Sequence, residues 1–163
     1  MTPFLDLRQA TAEVRAEMDA AIARVLDSGR YIQGPEVEAF ESEFAGYCGV
    51  RHCVGVASGL DALTLLLRAL GIGEGDEVIV PTHTYIATWL AVSAAGARPV
   101  PAEPDPASYN LDPERAERAL TRRTRAILAV HLYGQAAAMR ELGEIAVRRG
   151  ICLLYTSPSP RDA

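Results

Sequence analysis

From His52 onward, short apolar runs alternate with longer runs whose apolar residues recur at helical spacing. The pattern predicts strands over residues 53–57, 77–80, 98–102, 126–131 and 151–154. It predicts helices over 59–70, 85–95, 113–122 and 139–149. Strands this apolar, separated by helices, belong to a mainly parallel α/β sheet with helices on both faces. Such sheets bind ligands beyond the carboxyl ends of their strands. Those ends carry Ser58-Gly59, the run from Pro81 to Tyr85, Glu103-Pro-Asp105 and the run from His131 to Gln135.

The residues ahead of this region read as helical. Val14, Met18, Ile22, Val25 and Leu26 share one side of a predicted helix over 8–27, which stops at Ser28-Gly29. A turn over 31–35 leads into a second helix running to about residue 47, with Pro35 in its first turn. Val37, Phe40 and Phe44 mark its apolar side, and Glu36, Glu38, Glu41 and Glu43 its wet side.

The length, 163 residues, suits one domain with a core, and 49% apolar with 23% charged residues is ordinary for a globular protein. A net charge of -5 argues against a nucleic-acid surface. No apolar run approaches the ~18 residues that span a bilayer. The first residues, Met1-Thr-Pro-Phe-Leu-Asp-Leu-Arg8, lack the basic and apolar regions of a signal peptide, so the expected location is cytoplasmic, with no membrane partner. Cys48, Cys53 and Cys152 form no CxxC pair, and Cys48, His52 and Cys53 have no second cluster to complete a metal site. Buried apolar thiols and no metal are the expectation. The spaced glycines of Gly71-Ile-Gly-Glu-Gly-Asp76 follow a helix and precede a strand, the reverse of a dinucleotide fingerprint, and read as a loop. Arg115, Arg118, Arg122, Arg123 and Arg125 read as a solvated helix face.

Two segments carry candidate chemistry. In Val54-Gly-Val-Ala-Ser-Gly-Leu-Asp-Ala-Leu63 an apolar run breaks at Ser58-Gly59 and becomes an amphipathic helix. Backbone N–H groups at such a helix start, on the positive end of its dipole, favour a phosphate. On this segment alone an ordinary N-cap is the commoner reading. In Val80-Pro-Thr-His-Thr-Tyr-Ile-Ala-Thr-Trp-Leu-Ala-Val92 the same order recurs, placing His83 and Tyr85 at the sheet mouth. Tyr85 could stack on a planar heteroaromatic ring or pack at the helix start, Trp89 reads as a packing residue, and His83 has no evident catalytic partner.

Four segments occur in the order and spacing of one family: Gly29-Arg-Tyr-Ile-Gln-Gly-Pro-Glu-Val-Glu38, Ala57-Ser-Gly-Leu-Asp-Ala-Leu63, Thr82-His-Thr-Tyr-Ile-Ala-Thr-Trp-Leu-Ala-Val92 and Val130-His-Leu-Tyr-Gly-Gln135. Over residues 4–154 the chain resembles the DegT/DnrJ/StrS sugar aminotransferases, which use pyridoxal 5'-phosphate (PLP) and share fold type I. The resemblance implies the N-terminal part of that fold's large domain, over residues 1–154. It implies amino transfer from glutamate or glutamine to a keto-sugar nucleotide, in a homodimer. The third segment looks most like the branch that makes 3-amino-3,6-dideoxy sugars on a dTDP carrier. By the same resemblance Ser58, Gly59 and Leu60 seat the cofactor phosphate, although Leu60 stands where the family often has threonine. Tyr85 matches the aromatic that stacks on the pyridine ring, while Tyr31, His131 and Tyr133 match loops that line the substrate site.

The chain departs from the family after Ile151-Cys-Leu-Leu154. The family continues Glu-Asp-Ala-Ala-Gln, where the Asp bonds the pyridine nitrogen. Here Tyr155, Thr156, Ser157, Pro158 and Ser159 follow, so Thr156 stands in place of the carboxylate. The sixteen basic residues are all arginine, so no lysine is present to serve as the family's Schiff-base lysine. Residues 155–163 have linker composition and read as a non-native tail. The expectation is therefore an N-terminal fragment with no catalytic residue of its own. Two alternatives stand beside it: a non-catalytic sugar-nucleotide or phosphate-binding α/β module, and a PLP-dependent sugar dehydratase of the same family.

Overall fold

Capping residues punctuate the first three helices. Helix α1 (Leu7–Glu13) is capped by Asp6, which accepts from the Arg8 N–H at 3.0 Å. Helix α2 (Arg15–Ser28) stops at Gly29 in the left-handed conformation (φ 65°). Helix α3 (Pro35–Cys48) opens on Pro35 and stops at Gly49 (φ 67°). The computed structural model describes residues 6–156, which fall into two units that divide between Gly55 and Val56. The single helix expected over 8–27 is two helices. At Val14 (φ -115°, ψ 12°) the N–H turns to the Thr11 carbonyl at 3.3 Å, a tight i→i−3 bond that interrupts the helical ladder. The expected division of α3 into an apolar and a wet side does not hold in the first unit: Phe40 and Phe44 are 55% and 46% exposed, whereas Glu41 is half-buried and so is Glu36, which pairs with Arg24 of α2 at 2.6 Å.

Residues 53–57 are the clearest correction. They are not a strand: no described strand forms a ladder with them, and they straddle the division between the two units. A strand is held by its neighbour's hydrogen bonds. Here the Gly55 N–H instead donates to the Glu41 carboxylate at 2.6 Å, and Val54 is 75% exposed.

The second unit contains α4 (Gly59–Ala69), β1 (Glu77–Pro81), α5 (Ala87–Ala94), β2 (Arg98–Ala102), α6 (Pro113–Arg118), β3 (Thr124–Val130), a single 3₁₀ turn (Leu132–Gly134), α7 (Met139–Arg149) and β4 (Cys152–Thr156). The four strands run parallel in the order β2-β1-β3-β4. Period-two alternation sends their side chains to opposite faces. Val78, Val80, Ala126, Leu128 and Val130 pack with Leu63 and Leu67 of α4 and Ala91 and Val92 of α5. Ile79, Ile127 and Ala129 pack with Ala116 of α6 and Leu142 and Ile145 of α7. The expected parallel α/β sheet with helices on both faces is what forms.

Several boundaries move for local reasons. Helix α5 begins at Ala87 rather than residue 85, because the Thr88 N–H bonds the Tyr85 carbonyl in a turn. Helix α6 ends at Arg118, after which the Thr121 N–H donates to the Thr124 hydroxyl at 2.9 Å. The five arginines are therefore not one helix face. Arg123 and Arg125 reach Glu77 and Asp76 at 2.8 and 3.1 Å. Strand β4 continues through Tyr155 and Thr156, which pair with Ala129 and Val130, two residues past its expected end. Of the expected tail, residues 157–163 lie outside the described residues. The thiols are not fully buried: Cys48 is exposed, and Cys53 and Cys152 are half-buried, the last because β4 is an edge strand. Residues 71–76 form the expected loop, with Gly71 (φ 70°) and Gly75 (φ 88°) in the left-handed region.

At the start of β1, Glu77 is 2% exposed and is held by the Thr121 hydroxyl, Arg123 and Arg98. The Thr121 hydrogen bond, then the guanidinium charge of Arg123, hold its carboxyl below the usual carboxylate range against the opposing effect of burial. A depressed folded pKa stabilises the fold above the ordinary carboxylate pKa, and that stability is lost as pH falls through the depressed value. Glu77→Gln is expected to lower unfolding stability at neutral pH by about 1–3 kcal/mol. It should also flatten the acid limb of the stability profile, read from urea midpoints across pH.

Candidate functional site

Ser58 is extended (φ -158°, ψ 165°) and caps α4. Its hydroxyl accepts from the Asp61 N–H at 3.1 Å and donates to the Asp61 carboxylate at 2.7 Å. The Ser58 carbonyl accepts from the Ala62 N–H at 3.0 Å, closing the first helical turn. The N–H groups of Gly59 and Leu60 have no acceptor among the described residues, and a Cβ on Gly59 would meet nothing within 4 Å. Two donors without an acceptor among the described residues thus lie at the positive end of the helix dipole. The Leu60 side chain packs on the core, so this residue can offer a ligand its backbone only.

Tyr85 stands between β1 and α5 with its ring 55% exposed. Trp89, one turn on, packs against the core as expected and donates from Nε1 to the Pro81 carbonyl at 3.1 Å. His83 is not alone. Its Nε2 lies 3.2 Å from the Tyr133 hydroxyl, and its ring centre is 6.0 Å from those of both Tyr109 and Tyr133.

Tyr109 and Tyr133 are non-glycine residues at positive φ (60° and 54°), a conformation costing roughly 1–3 kcal/mol each. The two loops that carry them are braced together by Asn110, which is 3% exposed. Its Oδ1 accepts from the Leu132 N–H at 2.9 Å, and its Nδ2 donates to the carbonyls of Gln135 at 3.1 Å and Ala136 at 3.5 Å. Tyr109 and Asn110 are absent from the residues singled out in the sequence. The available signal was turn chemistry: the Asp105 carboxylate accepts from the N–H groups of Ala107 and Ser108 at 3.0 and 2.8 Å. Those bonds, those to Ser108 most, hold the Asp105 carboxyl below its usual range.

His131 faces elsewhere. Its Nδ1 accepts from the Ala137 N–H at 3.1 Å, which assigns the ring proton of the neutral form to Nε2, and its ring lies 5.5 Å from that of Tyr155. The His131 N–H donates to the Thr156 carbonyl at 3.0 Å. The expected loop pair therefore splits, with Tyr133 joining His83 and His131 joining the end of β4. Tyr31 belongs to the first unit, beside a hollow of about 290 Å³ that Arg24, Arg30 and Gln33 also line.

A family model describing the DegT/DnrJ/EryC1/StrS aminotransferase family matches residues 12–158. The chain belongs to this family. It is 66% identical over 161 residues to the dTDP-3-amino-3,4,6-trideoxy-alpha-D-glucose transaminase of Streptomyces venezuelae, covering 99% of this chain and 42% of that protein. The crystal structure of S. venezuelae DesV in complex with a ketimine intermediate superposes with a TM-score of 0.91 at 64% identity, covering 94% of this chain and 41% of that one. The structure of ntda from Bacillus subtilis with bound cofactor PMP gives 0.88 at 34% identity, covering 94% and 36%. The chain thus spans about 42% of the length of the curated relatives it matches.

The family is PLP-dependent, and the residues present fit one part of that cofactor. Two unpaired N–H donors suit a phosphate, and an exposed tyrosine suits a planar ring. The other part has no counterpart in this sequence: β4 ends on Thr156, where the resemblance implies a carboxylate, and the sequence holds no lysine. Because Ser58 caps α4 independently of any ligand, Ser58→Ala is expected to cost about 0.5–2 kcal/mol of stability and Ser58→Gly only a few tenths. Urea unfolding of the two variants checks this.

Proposed function

We propose that this chain carries the phosphate seat and ring platform of a PLP-dependent sugar aminotransferase. The whole protein would move an amino group from glutamate or glutamine to a keto-sugar nucleotide, of the dTDP-3-keto-6-deoxyhexose kind, in deoxyamino-sugar synthesis. The carrying observation is the pair of Gly59 and Leu60 N–H groups at the start of α4, which have no acceptor among the described residues, beside a Gly59 with room for a side chain. The names of the relatives support the substrate class. No helix among the described residues is long and apolar enough to cross a membrane. We take the whole protein to be a cytoplasmic homodimer, on the strength of the family resemblance.

In this reading Gly59 and Leu60 bind the phosphate through the backbone. Ser58 keeps the first turn of α4 open to the ligand, with its hydroxyl proton committed to Asp61. Tyr85 orients the pyridine ring from one face. When bound, PLP supplies the electron sink for amino transfer. Thr156 has no carboxylate with which to keep the pyridine nitrogen protonated, and no lysine is available to move a proton between carbon centres. These 163 residues therefore bind but do not transaminate. The lack of lysine also favours a second reading, a non-catalytic sugar-nucleotide or phosphate-binding module, for the chain taken alone. The lack of the family's carboxylate and glutamine from Tyr155 onward supports reading residues 155–163 as foreign sequence, whereas the pairing of Tyr155 and Thr156 in β4 and a family match to residue 158 count against its starting at Tyr155.

Trp89 is the single tryptophan, so its fluorescence reports binding near Tyr85. Saturable quenching by PLP and by PMP is expected, weakened about tenfold in Tyr85→Ala. No glutamate-dependent turnover of a keto-sugar nucleotide should be detectable. Absence of saturable binding, or measurable turnover, contradicts the reading.

A further inference from the structure

We infer that Tyr109, Tyr133 and His83 form a platform for the pyranose ring of the sugar nucleotide, with Asn110 as the positioning residue that presents it. This rests on the substrate reading above and extends it to His83, Tyr109 and Asn110, which that reading leaves without a role.

The three rings come from loops that leave the carboxyl ends of three neighbouring strands. His83 follows β1, Tyr109 follows β2 and Tyr133 follows β3. Their centres are 6.0, 6.0 and 6.3 Å apart, with interplanar angles of 48°, 57° and 81°. Rings so tilted leave one another's faces uncovered, and Tyr109 and Tyr133 are 52% and 67% exposed. Among the described residues, then, three aromatic rings gather at the sheet mouth outside both core clusters.

The backbone points the same way. Both tyrosines sit at positive φ, where glycine or asparagine is at ease, although Gly134 and Asn110 are the very next residues. Asn110 holds the arrangement. Its side-chain bonds all end on the backbone of residues 132–136, tying the loop that carries Tyr109 to the turn that carries Tyr133. The geometry is over-determined in order to present rings, as strained functional residues are.

The chemistry selects the ligand. Aromatic faces edged by two phenol hydroxyls and an imidazole match a sugar ring, which has a C–H face and a hydroxyl rim. A diphosphate is a poor match. None of the three rings bears a fixed positive charge, and Asp105 lies in the loop of Tyr109.

The test compares dTDP-glucose with dTDP by saturation-transfer-difference NMR and titration on the native chain. The pyranose protons are expected to take the strongest saturation, and dTDP to bind at least about fivefold more weakly. Tyr109→Ala and Tyr133→Ala should each weaken dTDP-glucose binding about tenfold. Asn110→Asp keeps the acceptor for Leu132 but removes both Nδ2 bonds, and should shift saturation off the pyranose while leaving PMP binding intact. Tyr47→Ala, in the first unit, should change nothing. Affinities within about twofold of native in the tyrosine variants, saturation confined to the thymine, or no dTDP-glucose binding would each overturn the platform. Binding of PMP without dTDP-glucose overturns the platform alone, whereas failure of PMP overturns the function beneath it.

Discussion

Parallel pairing of β1 between β2 and β3 is the constraint on which the rest of the second unit depends. Parallel neighbours cannot be joined by a tight hairpin, so each strand must leave the sheet at the same edge and return through a connection over a face. That requirement buries Val78, Ile79 and Val80 completely and gives each face its own cluster. It also collects the loops after β1, β2 and β3 along one rim. His83, Tyr109 and Tyr133 meet there because their strands are neighbours, although 50 residues separate His83 from Tyr133 in sequence.

What was legible in the sequence was what local chemistry decides. The limits of β2 and α7 follow from short-range pattern, as do the stop at Gly29 and the Ser58 cap. What escaped depends on distant partners. Residues 53–57 alternate as a strand should, yet a ladder needs a neighbour, and Gly55 finds Glu41 instead. Asn110 looks like one more turn residue until its carboxamide is seen bonded to Leu132, 22 residues on. His83 read as solitary for the same reason. Arg123 and Arg125 looked like a helix face because the turn at Thr121 and Thr124, and the acids they reach, lie outside the local pattern.

The candidate site divides along the same line. Gripping a phosphate is backbone work: a helix start, an extended Ser58 and a Gly59 with open space suffice, and all of them lie within a few residues. Protonating a pyridine nitrogen and carrying a proton between carbons demand particular side chains at particular points, and neither Thr156 nor any lysine supplies them. On the proposed reading, these residues keep the phosphate seat of the family fold without the groups that would perform the chemistry.

The most direct measurement of that claim is an amide NMR titration of the chain with PMP. The largest saturable shifts are expected on the Gly59 and Leu60 N–H groups, with smaller shifts around Tyr85. Shifts centred elsewhere, or none at Gly59 and Leu60 at saturating PMP, would contradict it.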